Sequence, residues 1–151
     1  MNFVLLYSSV LNGIVCMLLQ LLFYFPEYDV LYVITNLGIF TSIWNHGTTL
    51  DIAKWSDRIC MVICVLVYIG FCKTLVDYSI IFAMIVFYFL AKFLRRYVFP
   101  FRVLFIKMFH VFTSDVCHSM VHLLFLALFG VIQLEKYHSR GFISPNESFT
   151  N

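Results

Sequence analysis

From residue 3 to residue 25 the chain carries no charged side chain, and long apolar runs recur as far as residue 134. Runs of this kind suit helices that cross a bilayer, at about 20 residues per pass. The composition agrees. Only 12% of the residues are charged and 62% are hydrophobic, whereas a soluble domain needs about 25% charged residues for its wet surface. The aromatic content of 19%, mostly Phe, suits lipid-facing walls and interfacial belts. A dispersed net charge of +2 excludes the basic footprint of a nucleic-acid binder. The expectation is an integral, multi-pass membrane protein whose surroundings and ligands are lipids.

The first apolar run is read as a retained transmembrane helix. It has neither the basic leader nor the small-residue cleavage site of a signal peptide. Pro26-Glu27-Tyr28-Asp29 stops it, because Pro removes a donor and two acids demand water. Further helices are expected over 30–44, 55–72, 78–93 and 113–134, with a polar connection at 45–54 and a turn at 73–77. Segment 97–109 is ambiguous: it is apolar and short, and contains Pro100, Arg102 and Lys107. It reads either as an interfacial helix or as a further crossing. The expected fold is all-α, a polytopic transmembrane helix bundle over 1–134. It has five crossings plus an interfacial segment, or alternatively six crossings, and ends in a polar, flexible tail over 135–151. The five cysteines lie in apolar runs and are read as small buried hydrophobes. Cys60 and Cys64 share a helix face and form the alternative thiol or metal pair.

An ionisable side chain inside a membrane helix is costly, and is by default a functional suspect. Ser42 and His46 lie four residues apart at the end of the second helix and so face the same way. Asp57 follows at the opening of the third. His118 and His122 form a second pair at i, i+4, and Ser114 and His110 continue that stripe towards the N-terminus. Two histidines on one helix and a third on another leave a fourth position open for water, as in catalytic zinc sites. Zinc lowers the pKa of such a water to about 7. Asp57 is then the candidate proton carrier, and Ser42 the candidate hydrogen-bond donor to a carbonyl or its oxyanion. Each residue alone has a plainer reading. A lone His bonds a neighbouring carbonyl, Ser42 bonds its own helix, and Asp57 caps its helix or pairs with Arg58. Asp115 is read as an acid near a helix N-terminus, with orientation of a histidine as the alternative.

Taken together, Ser42-Ile-Trp-Asn-His46, Asp57 eleven residues later, and His118-Ser-Met-Val-His122 resemble the CREST superfamily of membrane hydrolases. That group includes the alkaline ceramidases, the progestin and adiponectin receptors and the GPI-lipid-remodelling proteins. The segment His46-Gly-Thr-Thr-Leu50 is similar to the ceramidase stretch at the same place. The resemblance implies a Zn2+ ion held by His46, His118 and His122, with Ser42 and Asp57 as catalytic residues beside it. It implies hydrolysis of a lipid amide or ester. The family core has seven helices, so this chain would be a shortened form. It also lacks a counterpart of the ceramidases' acidic N-terminal calcium-binding segment.

A shared ion constrains the topology. His46 lies where the second helix exits, so the helix carrying His118 and His122 must begin on that side, and 97–109 must not cross. Lys54, Arg58, Lys92, Arg95, Arg96, Arg102 and Lys107 then share the side of the N-terminus, against Lys73, Lys136 and Arg140 opposite. The excess of basic residues places the N-terminus in the cytosol. The sequon Asn146-Glu147-Ser148 falls in the compartment where it can be used. The alternative function is non-catalytic: a multispanning protein with a structural zinc clasp, or no metal, in a receptor, membrane-remodelling or accessory role.

Overall fold

The computed structural model describes residues 2–97 and 104–141, with side chains for 2–96 and 111–140. It is all-α. The five helices are α1 (Phe3–Leu22), α2 (Asp29–Gly47), α3 (Asp51–Phe71), α4 (Leu75–Tyr97) and α5 (Leu104–Gly141), with a 3-10 turn at Pro26–Tyr28. Among the described residues three stretches are long and apolar enough to cross a membrane, Phe3–Leu22, Leu75–Arg96 and Val111–Arg140.

Local chemistry sets the helix ends. The side chain of Asn2 accepts from the Leu5 amide at 3.3 Å and caps α1, and Pro26 opens the 3-10 turn, where its missing N–H costs nothing. Thr74 and Asp77 cap α4 reciprocally. Asp77 Oδ2 accepts from the Lys73 and Thr74 amides at 2.8 and 2.9 Å, and Thr74 Oγ1 accepts from the Asp77 amide at 3.3 Å. This box starts α4 at Leu75, ahead of the residue 78 expected from apolar periodicity alone. Likewise the polar connection expected at 45–54 is mostly helical, and only 48–50 separate α2 from α3.

The other difference lies at the last helix. Tyr97 closes α4 and Leu104 already begins α5, so 97–109 forms no separate helix among the described residues, while 98–103 lie outside them. The polar residues 135–141, expected in a flexible tail, continue α5 to Gly141. Residues 142–151, including the sequon, lie outside the described part.

The chain runs back and forth end to end. The Asn2 amide donates to the His46 carbonyl at 3.1 Å, joining the start of α1 to the end of α2. Ser114 Oγ donates to the Ala91 carbonyl at 2.9 Å, which sets α5 antiparallel to α4. The extensive packings are α4 on α5, α2 on α3, α1 on α2 and α1 on α5. The helices therefore form an arc in the order α3, α2, α1, α5, α4, and a cleft separates its ends, α3 and α4. Gly13 and Gly38 let backbones approach closely. A Cβ would meet Ile39 Cγ2 at 3.0 Å at the first, and Cys64 Sγ at 2.9 Å at the second.

Burial is inverted relative to a water-soluble protein. Large apolar side chains such as Tyr7, Leu21, Phe82 and Leu75 face outward, while Ser9, Asn12, Thr35, Asp57, His122 and Gln133 are buried. An outer wall of this kind is a liability in water and the natural surface in lipid.

Candidate metal centre

The polar residues at the N-terminal end of the bundle converge. His46 comes from the last turn of α2, and His118 and His122 from successive turns of α5. Their nearest ligand atoms all lie within 4.8 Å of one another. The ring centroids stand 5.2 Å (His46–His118), 5.7 Å (His46–His122) and 5.2 Å (His118–His122) apart. Three imidazoles on one tetrahedral zinc, with Zn–N near 2.0–2.1 Å, place their rings roughly 5 Å apart. The rings are thus spaced as an ion requires, and the nitrogens, within 4.8 Å of one another, would draw in to the roughly 3.3 Å of a tetrahedral site on binding. His46 Nε2 is buried and has no hydrogen-bond partner. An imidazole nitrogen in that condition is destabilised unless something binds it, so the donor set fits a metal. Imidazole suits zinc and also copper, iron or nickel.

The tautomer of His122 turns on one hydrogen. Ser8 Oγ lies 2.9 Å from the Leu5 carbonyl oxygen and 2.8 Å from His122 Nδ1. A hydroxyl has one hydrogen: either Ser8 donates it to His122 Nδ1, or it goes to Leu5, in which case the imidazole is the donor and Nδ1 carries the proton. In the second case His122 Nε2 keeps its lone pair for an ion, the usual device by which an outer partner sets a metal-binding tautomer. Asn12 Nδ2 donates to the His122 carbonyl at 2.6 Å and ties the same turn to α1. Ser9 Oγ donates to the Leu5 carbonyl at 2.8 Å and lies 3.1 Å from Ser42 Oγ. Ser42 Oγ in turn lies 3.5 Å from His122 Nε2, which puts the hydroxyl beside the candidate ligand atom.

Asp57, buried in α3, is held by one oxygen. Its Oδ2 accepts from Asn45 Nδ2 at 2.7 Å, and its Oδ1 is buried without a partner. Asp57, His46 and His118 line one open cavity of about 630 Å3, together with Tyr88, Lys92 and Arg95 of α4. Ser42 and His122 line a separate space of about 30 Å3, about the size of a single water. All five residues singled out in the sequence therefore lie at one end of the bundle, but Ser42 and Asp57 line different spaces.

The remaining suspects resolve simply. Asp115 lies well inside α5, which starts at Leu104, so the helix N-terminus does not account for it. It stands 4.0 Å from Arg95 Nη2 across the α4–α5 contact instead. Arg58 does not pair with Asp57; its guanidinium lies 5.1 Å over the Trp55 ring. Cys60 and Cys64 are free buried thiols, and Cys64 Sγ donates to the Ile34 carbonyl at 3.4 Å. His138 is exposed near the end of α5, and the side chain of His110 lies outside the described part. Sequence reasoning missed Ser8, Ser9 and Asn12. Their spacing was the available signal, since polar residues at i, i+1 and i+4 of an apolar helix mark one polar stripe.

The fold and the site define a helical bundle of membrane-protein character with a buried three-histidine group able to hold a metal ion. No protein-family model, curated protein or solved structure matches the chain.

Proposed function

We propose that the protein is a zinc-dependent intramembrane hydrolase of a lipid amide or ester. One observation carries the reading. Three imidazoles form a group able to hold a metal ion, and two of them, His46 and His118, line an open cavity together with Asp57, whose buried Oδ1 has no partner among the described residues. The resemblance of the Ser42, His46, Asp57, His118 and His122 pattern to the CREST hydrolases supports it. Zinc, when bound by His46, His118 and His122, would supply Lewis acidity and water of lowered pKa. Asn45 fixes Asp57 by Oδ2, leaving Oδ1 to accept a proton from water and return it to the leaving group. Ser42 Oγ, 3.5 Å from His122 Nε2 but on the separate small space, would donate to the reacting carbonyl from the His122 side of the ion, once its hydroxyl hydrogen turns from Ser9.

The same reading sets the membrane topology. All five helices cross, the N-terminus is cytosolic, and the site lies near the cytosolic face, where Lys54, Arg58, Lys92 and Arg95 gather. α2 and α3 cross as well, with outward apolar faces that include Val33, Phe40, Ile59 and Val62, despite the polar residues they bury.

Metal analysis and a hydrolysis assay test the proposal together. The purified protein is expected to hold about one equivalent of zinc and to cleave members of a ceramide and glycerolipid panel. Asp57→Asn should retain the metal and lose the cleavage. Zinc retained with no cleavage of any lipid would leave a structural clasp and sink the hydrolase. Zinc below about half an equivalent, unchanged in His118→Ala, would sink the site itself.

A further inference from the structure

We infer that the cavity beside the histidines binds a phosphate-bearing lipid, its phosphate between Arg58 and Lys92 and an acyl chain in the cleft between α3 and α4. The inference deepens the hydrolase reading, and rests on it only for the claim that this lipid is the substrate.

Four cations line the cavity: Lys54 and Arg58 from α3, Lys92 and Arg95 from α4. Lys54 is answered by Asp51 at 2.8 Å, and Arg95 faces Asp115. Among the described residues no carboxylate lies within salt-bridge distance of Arg58 or Lys92; Asp57 lines the same cavity, but its carboxylate is held by Asn45. Each cation lies instead over an aromatic face, Arg58 over Trp55 at 5.1 Å and Lys92 over Tyr88 at 4.5 Å. A ring holds a cation in place without neutralising it. Two positioned positive charges thus look into one space from two helices. Close to a low-dielectric bilayer, such a pair favours an anion that answers both.

The shape of the adjoining space identifies the rest of the ligand. A second cavity of about 230 Å3 runs along the cleft between Met61, Val65 and Leu66 of α3 and Ile85 and Phe89 of α4. Arg58 and Tyr88 line both spaces, so the charged cavity and the apolar cleft meet at those two side chains. A free anion would use only the first and a neutral lipid would leave the cations unanswered. A lipid with an anionic head fills both.

The test uses the full chain in a neutral detergent, with dioctanoyl phosphatidate as probe and dioctanoylglycerol and inorganic phosphate as comparisons. Phosphatidate should bind saturably, and about tenfold or more tighter than either comparison, as expected for charged contacts added to apolar burial. Arg58→Gln with Lys92→Gln should remove that advantage over dioctanoylglycerol. Lys54→Gln, at a cation already paired, should change it little. Val65→Phe should narrow the cleft and weaken phosphatidate without weakening inorganic phosphate. Both cations are exposed, so the double variant is expected to fold, and its zinc content reports that it has. Equal affinity for inorganic phosphate, equal affinity for dioctanoylglycerol, or full binding by the double variant would each overturn the inference. Zinc and cleavage measured on the same preparations separate the claims. Binding without cleavage refutes the hydrolase alone, and cleavage of neutral lipids without phosphatidate binding refutes this inference alone.

Discussion

Both ends of the bundle bury polar groups and use them differently. At the far end they satisfy one another. Thr35 Oγ1 donates to the Leu31 carbonyl at 2.6 Å and accepts from Tyr68 at 2.7 Å. Tyr32 accepts from the Phe25 amide and contacts the Phe23 carbonyl and Gln133. Glu27 receives Lys136 and Arg140, whose Nη2 reaches both carboxylate oxygens, all at 2.8 Å. Two buried atoms there, Asp77 Oδ1 and Gln133 Nε2, go without a partner, but neither lines any of the cavities described. At the near end His46 Nε2 and Asp57 Oδ1 are also buried and unpartnered among the described residues, and their residues line an open cavity. Hydrogen bonds completed within the protein rigidify it. Those left open beside a cavity are free to take a ligand.

Substitutions that break one end should spare the other. The largest effect is expected from His118→Ala or His122→Ala, which remove one of three donors. Zinc content after dialysis should fall from about one equivalent to below half, whereas Tyr68→Phe at the far end should leave it unchanged. Ser8→Ala comes next. It removes the hydroxyl partner of His122 Nδ1 and should weaken zinc affinity about 10- to 100-fold, read by competition with a chelating dye. Ser8→Thr, which keeps the hydroxyl, should recover most of it. An unchanged affinity in Ser8→Ala would show that His122 does not need this partner.

Much of this contrast was legible in the sequence, and unevenly so. The apolar runs gave the helices, and the paired spacings of Ser42 with His46 and of His118 with His122 put those residues on common faces. Which end of each helix met which also followed, because a shared ion allows only one topology. Three kinds of fact were hidden. The start of α4 depended on the Thr74–Asp77 box, a polar signal that apolar periodicity ignores. The length of α5 depended on Glu27, whose ion pairs from the α1–α2 turn reach Lys136 and Arg140 and hold a polar segment helical. Ser8 was passed over because a serine in an apolar helix ordinarily bonds its own backbone. Its hydroxyl reaches the Leu5 carbonyl here as well, and lies 2.8 Å from His122 Nδ1 at the same time.

Two smaller effects sharpen the comparison. Gly38 lies between the two ends, where α2 meets α3, and a Cβ there would come within 2.9 Å of Cys64 Sγ. Gly38→Ala should cost about 1–3 kcal/mol through overpacking, measured by unfolding in mixed micelles, and Cys64→Ala in the same chain should recover part of it. Additivity of the two changes would mean that the helices do not touch at this point.

The smallest expected effect is a pH dependence confined to the far end. Lys136, and then Arg140, hold the Glu27 carboxyl down at about 2 from its ordinary 4.5. A carboxylate whose pKa is lowered by folding stabilises the fold above its ordinary pKa, and loses that contribution as pH falls through the lowered one. The window therefore runs from 4.5 down to about 2. The pairs are solvent-exposed and screened by salt, so the shift in melting temperature should be small and should shrink further at high ionic strength. Glu27→Gln should melt lower than the parent at neutral pH, and the two should converge towards pH 2. A gap between them that stayed constant with pH would mean that Glu27 holds α5 by hydrogen bonds and packing rather than by charge, and that the far end is clasped without electrostatics.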